Sequence, residues 1–242
     1  MLIDRYHKRI NQQVQTVEQS QKERCVRCGQ LIADVVAAGG AVHVFDTGHI
    51  IDSELIYRGG GLLLLKQFKY KLEVDNPVRT RDRSEVTKNM TGLAAYALRA
   101  SGALPGDVII LGSVSGKTEN VVDLAIEAKK FGMHVIAVTS LEYSKAVKSE
   151  HESGKRLFEC ADIVLDNCTP AAEAMLEVEG LEARFGAASG ISAAILMWSV
   201  CAVAIDALME KGIVPSVLKS HNFEDGPQYD EMLKKRYEKT GY

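Results

Sequence analysis

Between residues 112 and 118 the chain reads Gly112-Ser113-Val114-Ser115-Gly116-Lys117-Thr118. These are residue types that hold a phosphate. A dianion needs several donors within a small arc. Ser113, Ser115 and Thr118 bring hydroxyls, and Gly116 lets the backbone approach closely. Lys117 is counted with them. A helix starting near Thr118 adds free N–H groups and the positive end of its dipole. On its own, such a string is as well read as a Ser/Gly turn capping a helix. Its setting favours a ligand loop. The apolar run Val108 to Leu111 precedes it, and an amphipathic stretch from Thr118 to Phe131 follows. In an open parallel sheet, ligands bind at the carboxyl ends of strands, where this turn falls.

The same residues approach a nucleotide-binding loop, which requires four residues between its glycines and then Lys-Ser/Thr. Here three residues separate Gly112 from Gly116, and Leu111 stands where the first glycine belongs. One missing residue changes the size of the anion nest. The segment Ile163-Val164-Leu165-Asp166 imitates the magnesium-holding aspartate of that motif. The pair Cys25 and Cys28 lacks the second pair that a structural zinc site needs. No metal and no cofactor is expected.

Acid–base chemistry at a carbon next to a carbonyl needs a base beside that carbon, and a group that moves protons at the oxygens. Glu54 follows the first strand and its turn, near the same sheet edge as the phosphate turn, and is the candidate base. The alternative for Glu54 is a surface residue paired with Lys or Arg. His221, in the polar tail Ser220 to Gly226, and His49, after Gly48, are the candidate proton-transfer histidines. His151 lies in a polar loop. His43 and His134 fall within strands and are expected to be packed.

These residues need elements to place them. Ile10, Val14, Val17, Gln21, Arg24, Cys28, Leu31 and Val35 recur at spacings of three and four, predicting a long amphipathic helix that Gly39-Gly40 stops. Ala41 to Asp46 predicts a strand, Ile50 to Arg58 a helix, Leu62 to Leu65 a buried strand, and Ser84 to Ala100 a helix capped by Ser84. Lys66 to Arg83 reads as a loop. Val108 to Leu111, Thr118 to Phe131 and Met133 to Val138 form a right-handed βαβ unit. Ala161 to Leu165 is a fifth strand, Ser189 to Glu210 the last large helix, and the polar tail holds a short helical piece. The fold class is therefore α/β: a doubly wound, mostly parallel five-stranded sheet flanked by helices. Residues 1–40 read as a helical extension packed on the same domain or on a partner subunit, and 41–242 as the ligand-binding domain.

The run Val108 to Val122, with Ala128 to Thr139 closing the unit, resembles the SIS (sugar isomerase) domain. The shared features are Pro-Gly-Asp before the strand, Ser-x-Ser-Gly-x-Thr in the turn, and Gly-x-x-Val-Ile-Ala-Val-Thr at the end. Gly48-His49, Tyr57-Arg58-Gly59-Gly60-Gly61, Ser140 to Lys145, His151 to Leu157 and Ala161 to Asn167 are similar to bacterial proteins described only as sugar isomerase domain proteins. The resemblance implies binding of a phosphorylated sugar. It does not fix a reaction, since the family holds aldose–ketose isomerases, a sugar-phosphate ether lyase and sensor domains of regulators. Family isomerases resemble this chain in carrying a glutamate on the helix of Glu54, and in bringing a C-terminal residue over the site as His221 would be brought. In such domains a serine follows the first glycine turn and also holds phosphate. Here Ile50 follows Gly48-His49, and Ser53 is the nearest substitute.

Composition narrows the partners. A formal charge of −3 over 242 residues argues against a nucleic-acid or membrane-surface role. Five cysteines without a disulfide pattern suit a reducing, cytoplasmic setting. Ala187 to Ile205 carries no charge but is rich in Ala, Ser and Gly, and is read as a buried helix. That helix and the N-terminal stripe offer more apolar surface than one sheet covers, so a homodimer or dimer of dimers is expected. The function expected is binding of a phosphorylated sugar with aldose–ketose isomerisation. The alternatives are a non-catalytic sugar-phosphate-binding or sensor module, or a sugar-phosphate lyase or etherase.

Overall fold

The computed structural model describes residues 1–48, 51–86 and 89–242. Five parallel strands form the central sheet: β1 (Val42–Asp46), β2 (Leu65–Gln67), β3 (Val108–Gly112), β4 (His134–Thr139) and β5 (Ile163–Asp166), in the order β2-β1-β3-β4-β5. Val42 pairs with both Leu65 and Val108, Val108 with His134, and Ile136 with Ile163. Every residue of β3 is buried, as a central parallel strand covered on both faces must be.

Side chains alternate between two cores. On one face Val42, Val44, Val108, Ile110, Ile136 and Val138 pack against α1 (Leu2–Ala37) and α6 (Ser189–Glu210). On the other, Phe45, Ile109, Leu111, Val135 and Ala137 meet α3 (Leu93–Ala100) and α4 (Glu119–Phe131). The two long helices approach closely: a Cβ built on Gly29 of α1 would lie 2.6 Å from Val203 Cβ of α6. The α1 stripe is rotated from its predicted register. Val17, Gln21, Cys28 and Val35 are buried as expected, but Arg24 is exposed and Cys25 takes the inward place. An arginine keeps its charge in water while the neighbouring thiol accepts burial. Helix α6 is long and apolar enough to span a membrane by length and composition, yet one side of it lies in the core against α1.

Several predicted elements are corrected. The helix expected from Ser84 begins at Leu93. Its start is set from outside the segment: Gly92 turns at φ +92°, and the Asp123 carboxylate of α4 accepts the N–H groups of Gly92 and Ala94. The helix expected over 50–58 is the four-residue α2 (Asp52–Leu55), ended before Tyr57, which sits at φ +56°; Ile50 lies outside the described residues. Leu62 to Leu65 is buried as predicted, but parallel pairing begins at Leu65. Leu62 instead bridges Val217, and Leu63 N–H donates to the Ser216 carbonyl. His134 is exposed at the first position of β4. His43 is largely buried as expected, its Nε2 3.1 Å from Asp107 Oδ2.

One element has no counterpart in the sequence reading, and the short helical piece expected in the tail is longer than expected. An antiparallel hairpin of β6 (Ala174–Leu176) and β7 (Phe185–Ala187) precedes α6. The tail forms a full helix, α7 (Gly226–Thr240), whose Leu233 packs with Leu63 and Leu218. A short helix, α5 (Leu141–Ala146), follows β4 and is capped by Ser140 Oγ, which accepts Tyr143 N–H.

Candidate functional site

The carboxyl ends of four strands converge on a cavity of about 260 Å³. Asp46, Thr47 and Gly48 come from the end of β1, Ser113, Val114, Ser115 and Thr118 from the turn after β3, Tyr143 from α5, and Glu173 from the loop after β5. Of the residues singled out from the sequence, the cavity thus gathers Ser113, Ser115, Thr118 and Gly48.

The β3 turn is held from behind by its carbonyls. Val114 C=O accepts Ser140 N–H at 2.9 Å and Thr139 Oγ1 at 3.0 Å. Ser115 C=O accepts Ser144 Oγ at 2.7 Å, and Gly116 C=O accepts Leu157 N–H at 2.8 Å. With the acceptors spent on β4, α5 and the short 3₁₀ turn Leu157–Glu159, the donors are left over. Among the described residues, the backbone N–H groups from Val114 to Asn120 have no protein acceptor. Unpaired N–H groups in a turn leading into a helix make an anion nest. Thr118, at the N-cap of α4, makes no capping bond, and its Oγ1 is buried without a partner among the described residues. A buried hydroxyl left unpaired is costly, and a ligand oxygen would satisfy it.

Gly116 is required by geometry rather than as a contact. Its φ is +58°, and an added Cβ would stand 3.1 Å from Leu157 Cβ and Ser144 Oγ and 3.2 Å from Thr139 Oγ1. Lys117 faces away from the cavity walls: its Nζ is 2.6 Å from Glu150 Oε1, and that bond pushes the ammonium pKa up.

The turn after β1 is organised by one carboxylate. Asp46 Oδ1 accepts Gly48 N–H at 2.9 Å, and Oδ2 accepts Ile51 N–H at 2.7 Å and Asp52 N–H at 3.3 Å. Ser53 is exposed and outside the cavity wall. Glu54 is also outside it, its Oε2 accepting from Arg58 Nη1, just past the end of α2, at 2.8 Å. His221 lies near the tail helix, largely exposed, with Nε2 3.0 Å from the buried Asp230. His49 lies outside the described residues. Among the described residues there is no cluster of ligands for a metal ion.

Sequence reasoning missed Asp46, Thr47, Tyr143 and Glu173. Asp46 and Thr47 were signalled by their place at a strand end beside Gly48. Tyr143 lay within a segment noted for its resemblance. Glu173 had no signal, because its loop carries no periodicity and its position depends on β5 and α6 together.

A family model for the SIS domain matches residues 5–140. The chain belongs to the SIS domain family. A UPF0309 protein of Streptomyces avermitilis is 33% identical over 93% of this chain and 90% of its own length. The UPF0309 protein GK1441 of Geobacillus kaustophilus is 30% identical over 98% of this chain and 94% of its own. Among solved structures, phosphoheptose isomerase from Francisella tularensis superposes with a TM-score of 0.50 at 18% identity, covering 86% of this chain and 96% of that one. Phosphoheptose isomerase GmhA from Neisseria gonorrhoeae gives 0.51 at 16% identity, over 83% and 96%. At that identity the likeness is one of fold. The SIS match spans β1, β3, α4 and β4, and so includes the β1 end and the β3 turn of the cavity. Glu173 lies beyond it.

Proposed function

We propose that this SIS domain protein binds a phosphorylated sugar, with the phosphate on the Ser113–Thr118 turn, and interconverts its aldose and ketose forms. The observation that carries the binding is the row of unpaired N–H groups from Val114 to Asn120 beside the unsatisfied Thr118 Oγ1. The fold likeness to phosphoheptose isomerases supports the reaction class. In this reading Glu54 takes the proton between two sugar carbons and His221 or His49 moves protons at oxygen. A titration of hexose 6-phosphates against the free hexoses, with Thr118→Val beside the wild type, tests the binding. Equal affinity for both sugars would refute it.

One observation favours a non-catalytic binding module as the second reading. Glu54 is held by Arg58 and His221 lies 3.0 Å from Asp230, both apart from the cavity wall. Solvent-deuterium exchange into a bound sugar phosphate separates the two readings, since a module that only binds would catalyse none.

The proposal includes a homodimer or dimer of dimers. An apolar groove of about 330 Å³ runs between α1 and α6, lined by Val17, Cys25, Ile195, Leu196, Ala202 and Val203. Ile191 and Met209 extend the apolar surface of α6. A second copy of the helix pair is the occupant that symmetric association supplies. A monomer by sedimentation at micromolar concentration would oppose it. A cytoplasmic location goes with this reading, supported by five free cysteines.

A further inference from the structure

The hydroxyl turn accounts for one side of the cavity. Opposite chemistry comes from Glu173, placed there by an unusual piece of backbone. Ala172 and Glu173 are consecutive non-glycine residues in the left-handed region, at φ +62° and +69°. Such residues are uncommon singly, and strain of this kind collects where a fold fixes a functional group. The strained loop is tied down on each side. Ser140 Oγ donates to the Thr169 carbonyl at 2.6 Å, Ala171 N–H to Glu142 Oε1 at 3.0 Å, and Ala188 N–H to the Glu173 carbonyl at 3.2 Å.

The Glu173 side chain is itself oriented. Its Oε2 accepts Ser189 Oγ at 2.6 Å, and Ser189 is a fully buried residue that opens the 22-residue helix α6. That helix has no side-chain cap at Ala188, and a helix N-terminus favours a negative group. The other oxygen, Oε1, has no protein donor among the described residues. Asp46, the second carboxylate on the wall, differs because both its oxygens accept N–H groups of its own turn. No lysine or arginine stands among the described residues of the wall. An ionised carboxylate only accepts hydrogen bonds. It suits hydroxyls or an amine and repels a second anion.

We propose that Glu173 is the specificity-determining carboxylate of this site. It contacts the sugar rather than the phosphate, and Ser189 positions it. The ligand class that follows is a sugar monophosphate whose far end offers hydroxyl or amine donors, and not a sugar bisphosphate or a phosphorylated sugar acid. This inference rests on the sugar-phosphate reading above.

The test is calorimetric titration of the full chain with glucose 6-phosphate, fructose 6-phosphate and 6-phosphogluconate, the last carrying a carboxylate at its far end. The wild type should bind at least one of the hexose phosphates about tenfold or more tightly than 6-phosphogluconate, the size expected when one charge-assisted bond is exchanged for a repulsion. Glu173→Gln should shrink that ratio to about threefold or less, and Ser189→Ala should shrink it partway. Circular dichroism melts establish that both variants fold. A variant that unfolds would be replaced by Glu173→Asp, which keeps the charge and should keep the preference with weakened affinity. Wild-type protein that binds 6-phosphogluconate as well as the hexose phosphates overturns the inference while leaving the phosphate site intact. So does an unchanged ratio in folded Glu173→Gln. Wild-type protein that binds none of the three overturns the sugar-phosphate reading itself, and this inference with it.

Discussion

The turns after β1 and β3 leave neighbouring strands at the same edge of the sheet, yet they are built in opposite ways. The β3 turn buries its acceptors: the carbonyls of Val114, Ser115 and Gly116 are all bonded to β4, α5 or the 3₁₀ turn. Its donors stay free. Among the described residues of the β1 turn, Gly48, Ile51 and Asp52 all give their N–H groups to Asp46. One turn is prepared for an anion, and the other already holds one as a side chain. The proposed phosphate site is therefore the β3 turn rather than the β1 turn.

The largest break in this contrast comes from Gly116. Valine there would be forced into the left-handed region and against Leu157, Ser144 and Thr139. Gly116→Val should cost about 2–4 kcal/mol of stability, summing the left-handed penalty with overpacking. Urea denaturation measures it, and an unchanged midpoint would mean that the turn is not held by its buried side. Next in size is Thr118→Val. It removes a hydroxyl that has no protein partner, so folding stability should hold or rise slightly, while affinity for a hexose 6-phosphate falls by about 1–3 kcal/mol. A fall in melting temperature with affinity preserved would assign Thr118 to structure instead.

A smaller effect is expected at Asp52 on the β1 side. Burial pushes its carboxyl pKa up, and the nearby Asp46 adds to this, while the bond from Gln67 and the charge of Lys69 oppose it. A raised folded-state pKa means the fold favours the protonated acid. That contribution is full below the ordinary value of 3.8 and is lost as pH rises through the folded value. Asp52→Asn should therefore gain on the wild type as pH rises through and above the ordinary carboxyl range. Thermal melts across that range would show the two curves diverging, and parallel curves would remove Asp52 from the balance.

The difference between the two turns also explains what was legible. The β3 turn lies inside one continuous βαβ unit, so the apolar run, the hydroxyls and the amphipathic helix announce each other within a short stretch of sequence, and the parallel five-stranded sheet and the helix Ser189–Glu210 followed in the same way. Where a feature depends on distant chain, the reading failed. The start of α3 is set by Asp123, thirty-one residues beyond Gly92. The loop that delivers Glu173 is shaped by Ser140, Glu142 and Ala188. Lys117 matched the motif by type, but Glu150 from another loop claims it.

The smallest expected change in stability is at Glu54 and Arg58, and it bears most directly on the chemistry. The pair is about half exposed on each side, with Glu54 on the one-turn helix α2 and Arg58 just beyond its end. Exposed pairs of this kind contribute little, so Arg58→Ala and Glu54→Gln should each shift stability by no more than about 0.5 kcal/mol. Neither residue lines the cavity, so phosphate affinity should be unchanged in both. Solvent-deuterium exchange is where they separate. If Glu54 is the base, freeing it from Arg58 leaves exchange in place or raises it, and Glu54→Gln abolishes it. If α2 is only the outer wall of the β1 turn, both variants exchange as the wild type does. Loss of exchange in Glu54→Gln with affinity intact would place the chemistry on the β1 side and leave binding on the β3 side, dividing the two functions between the two turns.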